Sequence, residues 1–453
     1  MHIRLRSLYL GLATATTMVT PVFAVDLSVI CRCVVGGVNS ETATWIEESV
    51  IPGFEAKMEA EGRDVTVTLT GFGGQDEQLT QQLALDFSTG AGADVAGFDG
   101  FLIPSFVEGG LLKPLEDIGG AAVAEWEGWD HISQGSRDLM SYQGKDYGLA
   151  LGTDVRAIFV RKDLLESAGL DPETWQPTSW EELLDAARAI KEANPDSFPL
   201  QLNAGVNMGE ATTMQGYYMA LLGTGESVVD EDGKYIVESQ GILDTLNLYK
   251  TIYVDEKLGD QRAQLLGDGR NRTFANFREG KTGLLVEGDW FFNSVLAPGS
   301  EFGLENRDAE VTWASMPAKE PGAGYRGQDF VTVSGGTGFV INPNTDNPEE
   351  AWELLAFMNS QEQLTAFQGY REARRIRDDV ATPNNEYLQK TQQSLLPLTT
   401  ARPNDPNYNK VSAEIQRMTE SVVSGELSPE EAMAQYKAAV TAIVGEENTV
   451  SKL

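Results

Sequence analysis

Three short stretches of this chain bring together residue types that could do chemistry on a bound molecule. Phe98-Asp99 ends one apolar run, Asp154 and Arg156 flank the break between two others, and Asp289-Trp290 follows Glu287-Gly288. Two carboxylates facing one cleft, such as Asp154 and Asp289, could work as the acid and base of glycoside hydrolysis. Nothing in their flanking sequence suggests a tuned pair. Beyond residue 24 the only histidine is His131, which removes most His-based triads and multi-His metal sites. There is no Gly-x-Ser-x-Gly elbow, and Gly71-Phe-Gly-Gly-Gln lacks the lysine and spacing of a phosphate-cradling loop. The residues therefore favour a binding site over an enzyme, with no metal and no cofactor.

The elements that must position these residues alternate. Leu27–Val35 reads as a strand, 41–61 as a helix bent by Pro52, Val65–Leu69 as a strand, 75–85 as a helix and Ala93–Phe98 as a strand. This β-α-β-α-β order predicts a parallel α/β sheet. It puts Phe98 and Asp99 at a strand's carboxyl end, where open α/β sheets bind ligands. Gly73-Gly74-Gln75 precedes a helix, so the Gln75 amide could receive a ligand oxygen, and Asn39 borders the first strand–helix loop. Residues 147–151 and 157–160 are apolar strands either side of Asp154 and Arg156. Ser179-Trp-Glu-Glu opens the next amphipathic helix as a capping box. Later, 273–279 reads as a short helix and 282–286 as a strand. Residues 331–341 read as one apolar strand containing Ser334-Gly335-Gly336-Thr337-Gly338. Gly335 and Gly336 could admit a ligand to the backbone; a bulge or close strand packing explains them nearly as well. Asn347-Pro-Glu-Glu and Ser428-Pro-Glu-Glu both open helices with a cap, a first-turn proline and acids at the positive end.

Bulk composition narrows the class. The 453 residues carry 68 acids against 34 bases, a net charge of −34. Such a surface repels nucleic acid and anionic lipid, and an acidic solvated surface accounts for it without a cationic ligand. Residues 1–24 read as a signal peptide: His2, Arg4 and Arg6, an apolar middle, then Val22-Phe23-Ala24 with cleavage after Ala24. No later run is long and apolar enough to span a bilayer, so the cleaved chain is expected in the periplasm. Cys31 and Cys33 are the only cysteines. They are too few and too close for a zinc site. Two same-face strand positions are expected to hold them as reduced, half-buried residues, a bridge between them being strained.

Five separated stretches, in order, closely resemble family 1 extracellular solute-binding proteins, the maltose-binding-protein-like carbohydrate receptors of ATP-driven importers. They are Ala93-Asp-Val through Gly109-Gly-Leu-Leu-Lys-Pro-Leu115; Lys145 to Lys191; Phe277-Arg-Glu-Gly-Lys-Thr-Gly through Asp289-Trp290; the Gly335-Gly336 strand with Asn-Pro-Glu-Glu-Ala-Trp-Glu-Leu-Leu; and Val411 through the Ser-Pro-Glu-Glu-Ala helix. The resemblance implies a two-lobed α/β periplasmic-binding-protein fold of type II, with a ligand cleft between lobes joined by crossing segments. The expected lobes are residues 25–153 plus about 314–362, and 154–313 plus about 363–453. It also implies a monomer that closes on a sugar or polyol and docks on a membrane permease.

Sugar recognition needs planar acids, amides and arginines, which pair neighbouring hydroxyls, and flat aromatics, which stack on a pyranose face. By resemblance, Asp154 stands at the cleft floor just after the crossing; a strand-end acid capping loop amides is the alternative. Arg156 clamps either Asp154 or ligand. Trp290 is at the position of a stacking aromatic, or else in the core, with Asp289 beside it. Asp99 and Phe98 match first-lobe contacts, though Phe98 could be core. Relatives have Gly and Pro where this chain has Tyr370-Arg-Glu-Ala-Arg-Arg375. One arginine, Arg371 first, would face the cleft there unless the run is a solvated basic face. An inward arginine would suit an anionic sugar derivative, while the acidic surface keeps a polyamine open as a ligand.

Overall fold

The computed structural model describes residues 24–453; the expected signal peptide lies outside these residues except for Ala24. Two α/β lobes are built on separate sheets. In the first, Val25–Cys31 lies parallel to Val65–Gly71 and to Val95–Asp99. Gly336–Ile341 then runs antiparallel between Val95–Asp99 and Gly148–Thr153. One face buries Leu27, Val29, Trp45, Phe54 and Leu354; the other buries Leu79, Leu83, Phe87, Phe98 and Phe106. Helices on both faces require both sets of alternate strand residues to be apolar. The helix after the first strand widens into a π turn at Ile46–Val50, ahead of Pro52, because proline has no N–H to continue the regular ladder.

The second lobe orders Val311–Ala314, Arg156–Arg161, Leu284–Gly288 and Leu200–Gln201 in one sheet. Every residue of Arg156–Arg161 is buried. A further small sheet pairs Phe330–Ser334 with Met316–Pro317 and Thr399–Ala401. Helices Trp180–Ala193, Gln240–Lys250, Tyr408–Val423 and Pro429–Val444 close this core through apolar faces. Ser428 caps the last helix as expected, and Glu431 bonds back to make a reciprocal capping box, with bonds of 3.3 and 3.0 Å. Among the described residues no helix is long and apolar enough to cross a membrane.

Two sequence expectations need correction. The apolar run 331–341 is two strands in two different sheets, broken at Gly335; hydrophobicity alone cannot register a change of sheet. Met316, Val331 and Val333 consequently pack in the second core, and the ring of Phe367 lies 4.9 Å from that of Trp45 in the first. Secondly, Cys31 and Cys33 are bridged and buried. The strand ends at Cys31 and the chain bends at Arg32, which releases the extended spacing on which the reduced reading depended.

Candidate functional site

Two crossings run side by side. Thr153 ends a first-lobe strand and Arg156 opens a second-lobe strand, so Asp154-Val155 spans the lobes; Gly335 spans them in return. The Gly335 amide donates to Asp154 Oδ1 at 2.7 Å, and Thr153 Oγ1 meets Ser334 Oγ at 2.9 Å. A Cβ on Gly335 would stand 3.3 Å from Arg402 Nη2, 3.4 Å from Asp154 Oδ1 and 3.5 Å from Arg156 Nη1. Three charged side chains thus converge on this backbone. Arg156 is buried; its Nη1 donates to Asp154 and, at 3.2 Å, to the Val333 carbonyl, while its Nε has no protein acceptor. About a quarter of the Asp154 side chain stays open.

Asp99 comes from the other wall. Its Oδ1 accepts from Arg402 Nη2 at 2.6 Å, and Arg402 also pairs with Glu210 at 3.3 Å and lies 4.1 Å above the Phe101 ring. Glu210 accepts in addition from Tyr408 at 2.8 Å and from Ser412. Two carboxylates thus share one guanidinium. Burial raises both Asp99 and Glu210, and Arg402 only partly offsets it. Burial alone would lower Arg402; the two acids outweigh it and leave it raised. Asp99 retains 34% of its side-chain surface, so it lines a confined but wet space. Further bonds cross between the lobes: Ser294 Oγ donates to Glu41 at 2.9 Å, and the Glu210 amide to Glu77 at 3.3 Å.

The third wall is aromatic. Trp290 is partly exposed, with its ring 6.1 Å edge-on from Phe274 and the Arg270 guanidinium 5.2 Å from its centroid. Arg270 pairs at 2.9 Å with Glu287, which is fully buried and also accepts from Asn203 at 3.0 Å. Arg371 follows the helix Gln361–Tyr370 and is half-buried, its Nε shielded and lacking an acceptor. Burial lowers its pKa, with Glu41 and Asp154 offsetting this in part.

Other predicted residues are placed elsewhere. Asp289 is 3% exposed. Its Oδ1 accepts from the Val155 amide at 2.8 Å and its Oδ2 pairs with buried Arg374, so both oxygens are engaged within the protein. Phe98 is core, 4.9 Å edge-on from Phe106. Gly336 is within the sheet, against Leu139, so close packing explains it. The Gln75 amide is already bonded to Gln78 Oε1 at 2.9 Å, and Asn39 Nδ2 donates to the Arg32 carbonyl at 2.7 Å; both are occupied by their own loops. Sequence reasoning missed Arg402, Glu210, Arg270 and Glu287. Arg402 sits in an Ala-Arg-Pro-Asn loop and Glu210 follows a glycine, contexts that carry no periodic signal.

With two α/β lobes facing across such a cleft, comparison with known proteins is informative. The family model for bacterial extracellular solute-binding proteins matches residues 39–365, and the chain belongs to this family. A binding protein of Brucella abortus (strain 2308) is 26% identical over 81% of this chain and 83% of its own. The arabinooligosaccharide-binding protein of Halalkalibacterium halodurans is 22% identical over 63% of this chain and 59% of its own. The crystal structure of an ABC transporter solute-binding protein from Thermotoga lettingae, bound with α-D-tagatose, superimposes with a TM-score of 0.76 at 26% identity, covering 93% of this chain and all of that one. The family and these neighbours are binding proteins, and the family is extracellular.

Proposed function

We propose that this protein is a periplasmic receptor that captures a sugar or polyol by lobe closure and delivers it to an ABC importer permease. The observation that carries this reading is the composition of the cleft. Asp99 and Asp154 face it from the first wall and the crossing, arginines hold both acids in place, and partly exposed Trp290 offers an aromatic platform. Fixed acids and guanidinium groups match the paired donor and acceptor pattern of vicinal hydroxyls, and an aromatic face matches the C–H face of a sugar ring. The names of its relatives, an arabinooligosaccharide-binding and a lactose-binding protein among them, support the same class. Ligand touching both lobes favours the closed form by its differential affinity. We assign the first lobe to 25–153 with 335 to about 380 and the second to 154–334 with about 381–453, signal cleavage after Ala24, a monomeric state, and no cofactor or nucleic acid partner.

The test is a thermal-shift screen of residues 25–453 against sugars, polyols and polyamines. A ligand of the folded form raises the melting temperature by mass action. A shift with carbohydrates, chemically unchanged afterwards, is the expected result; a shift confined to polyamines, or turnover of the sugar, would overturn the reading. Trp290→Ala should weaken sugar binding by about 30-fold, a loss of about 2 kcal/mol typical of a buried aromatic anchor, while the protein stays folded.

A further inference from the structure

The arginines of the cleft are not equivalent. Arg156, Arg270, Arg374 and Arg402 each have a protein carboxylate as counter-ion: Asp154, Glu287, Asp289, and Asp99 with Glu210. Arg371 has no carboxylate within ion-pair distance among the described residues, and its Nε is buried without an acceptor. Glu41, one of the two acids whose field reaches it, accepts from Ser294 across the cleft; Asp154, the other, is held by Arg156 and the Gly335 amide. Partial burial pushes the Arg371 guanidinium below the usual arginine range, and the acids near it are engaged elsewhere.

A guanidinium with its Nε shielded from water is satisfied best by a group that brings both hydrogen-bond acceptors and opposite charge. Sugar hydroxyls supply acceptors only. A carboxylate supplies both, and its two oxygens match the fork geometry of arginine. We propose that Arg371 is a specificity-determining residue that takes the carboxylate of an acidic sugar, so that the ligand class of this receptor is uronate-containing carbohydrate. This rests on the sugar-receptor reading above. Among these arginines Arg371 alone lacks a carboxylate partner, so a ligand carboxylate meets an unpaired guanidinium there. Trp290 and Asp154 are left to the ring face and the hydroxyls.

The experiment is calorimetric titration of residues 25–453 with matched pairs, each a uronic acid and its neutral hexose, as mono-, di- and trisaccharides. The acidic member of at least one pair should bind about 30-fold more tightly or better. Arg371→Gln should erase that preference, and Arg371→Lys should restore part of it by keeping charge without the fork. Unliganded melting curves of both variants establish that they fold. If Arg371→Gln does not fold, the Lys variant and the wild-type preference still decide. Neutral sugars binding as tightly as their acids, or a preference that survives Arg371→Gln, would overturn this inference and leave the receptor reading standing. Binding of neither member of any pair overturns this inference, and the thermal-shift screen then decides the receptor reading separately.

Discussion

Asp289 offers a direct test of the site's construction, because the sequence placed it at the ligand and the structure buries it as a staple. Asp289→Ala removes two interactions at once. The Val155 amide loses its 2.8 Å acceptor, and Arg374, itself 4% exposed, loses its counter-ion. Removing one partner of a buried ion pair costs about 3–5 kcal/mol, since the remaining charge stays desolvated. An orphaned buried amide costs about 1–3 kcal/mol. The two are neighbours and not additive, so about 4 kcal/mol is expected in total. For a folding unit of about 150–250 residues each kcal/mol moves the melting midpoint by about 2–4 °C, a drop of roughly 8–16 °C. Scanning calorimetry without ligand measures it. Replacing Arg374 as well, by Met, should recover part of the loss, because no charge is then stranded. The reasoning is refuted if Asp289→Ala melts within about 1 °C of the wild type while sugar affinity collapses. Asp289 would then face the ligand, as its place beside Trp290 first implied.

Two further outcomes follow from the charges. Asp99 and Glu210 are raised above 3.8 and 4.5 by burial between the lobes. A carboxyl raised in the closed form favours closure when protonated, and that contribution is lost as pH rises through its raised value. The ligand-free protein should therefore become more compact by small-angle scattering as pH falls from 7 into the window just above those ordinary values. Asp99→Asn should blunt the effect, and an identical profile in both would count against it. Away from the cleft, His131 Nδ1 lies 2.9 Å from Asp378, which raises its pKa above 6.5 despite the neighbouring Arg377. Its contribution to stability is complete below 6.5 and fades as pH rises through the raised value. As the only imidazole of residues 25–453, it gives one NMR titration, whose midpoint should fall on Asp378→Asn; a midpoint at or below 6.5 in the wild type contradicts the contact.

The sequence by itself determined the elements and the class. Alternating strand and helix patterns, capped helix starts such as Ser428-Pro-Glu-Glu, and five ordered motifs needed only local spacing to be read, and the two-lobed fold has them. It also marked Asp154 and Arg156, because a charged break in an apolar run is a local signal. Tertiary structure alone decided which charges meet. Arg402 joins Asp99 across 303 positions of sequence and Glu210 across 192, and no periodicity records a contact at that range. It decided that the apolar run 331–341 changes sheet at Gly335, because hydrophobic patterning is the same in either lobe. It moved Asp289 inward by giving it Arg374 as a partner, and left Arg371 without one. Burial and pairing are properties of the assembled cleft: a residue's type fixes what it can bond, and only the fold fixes what is left for it to bond to.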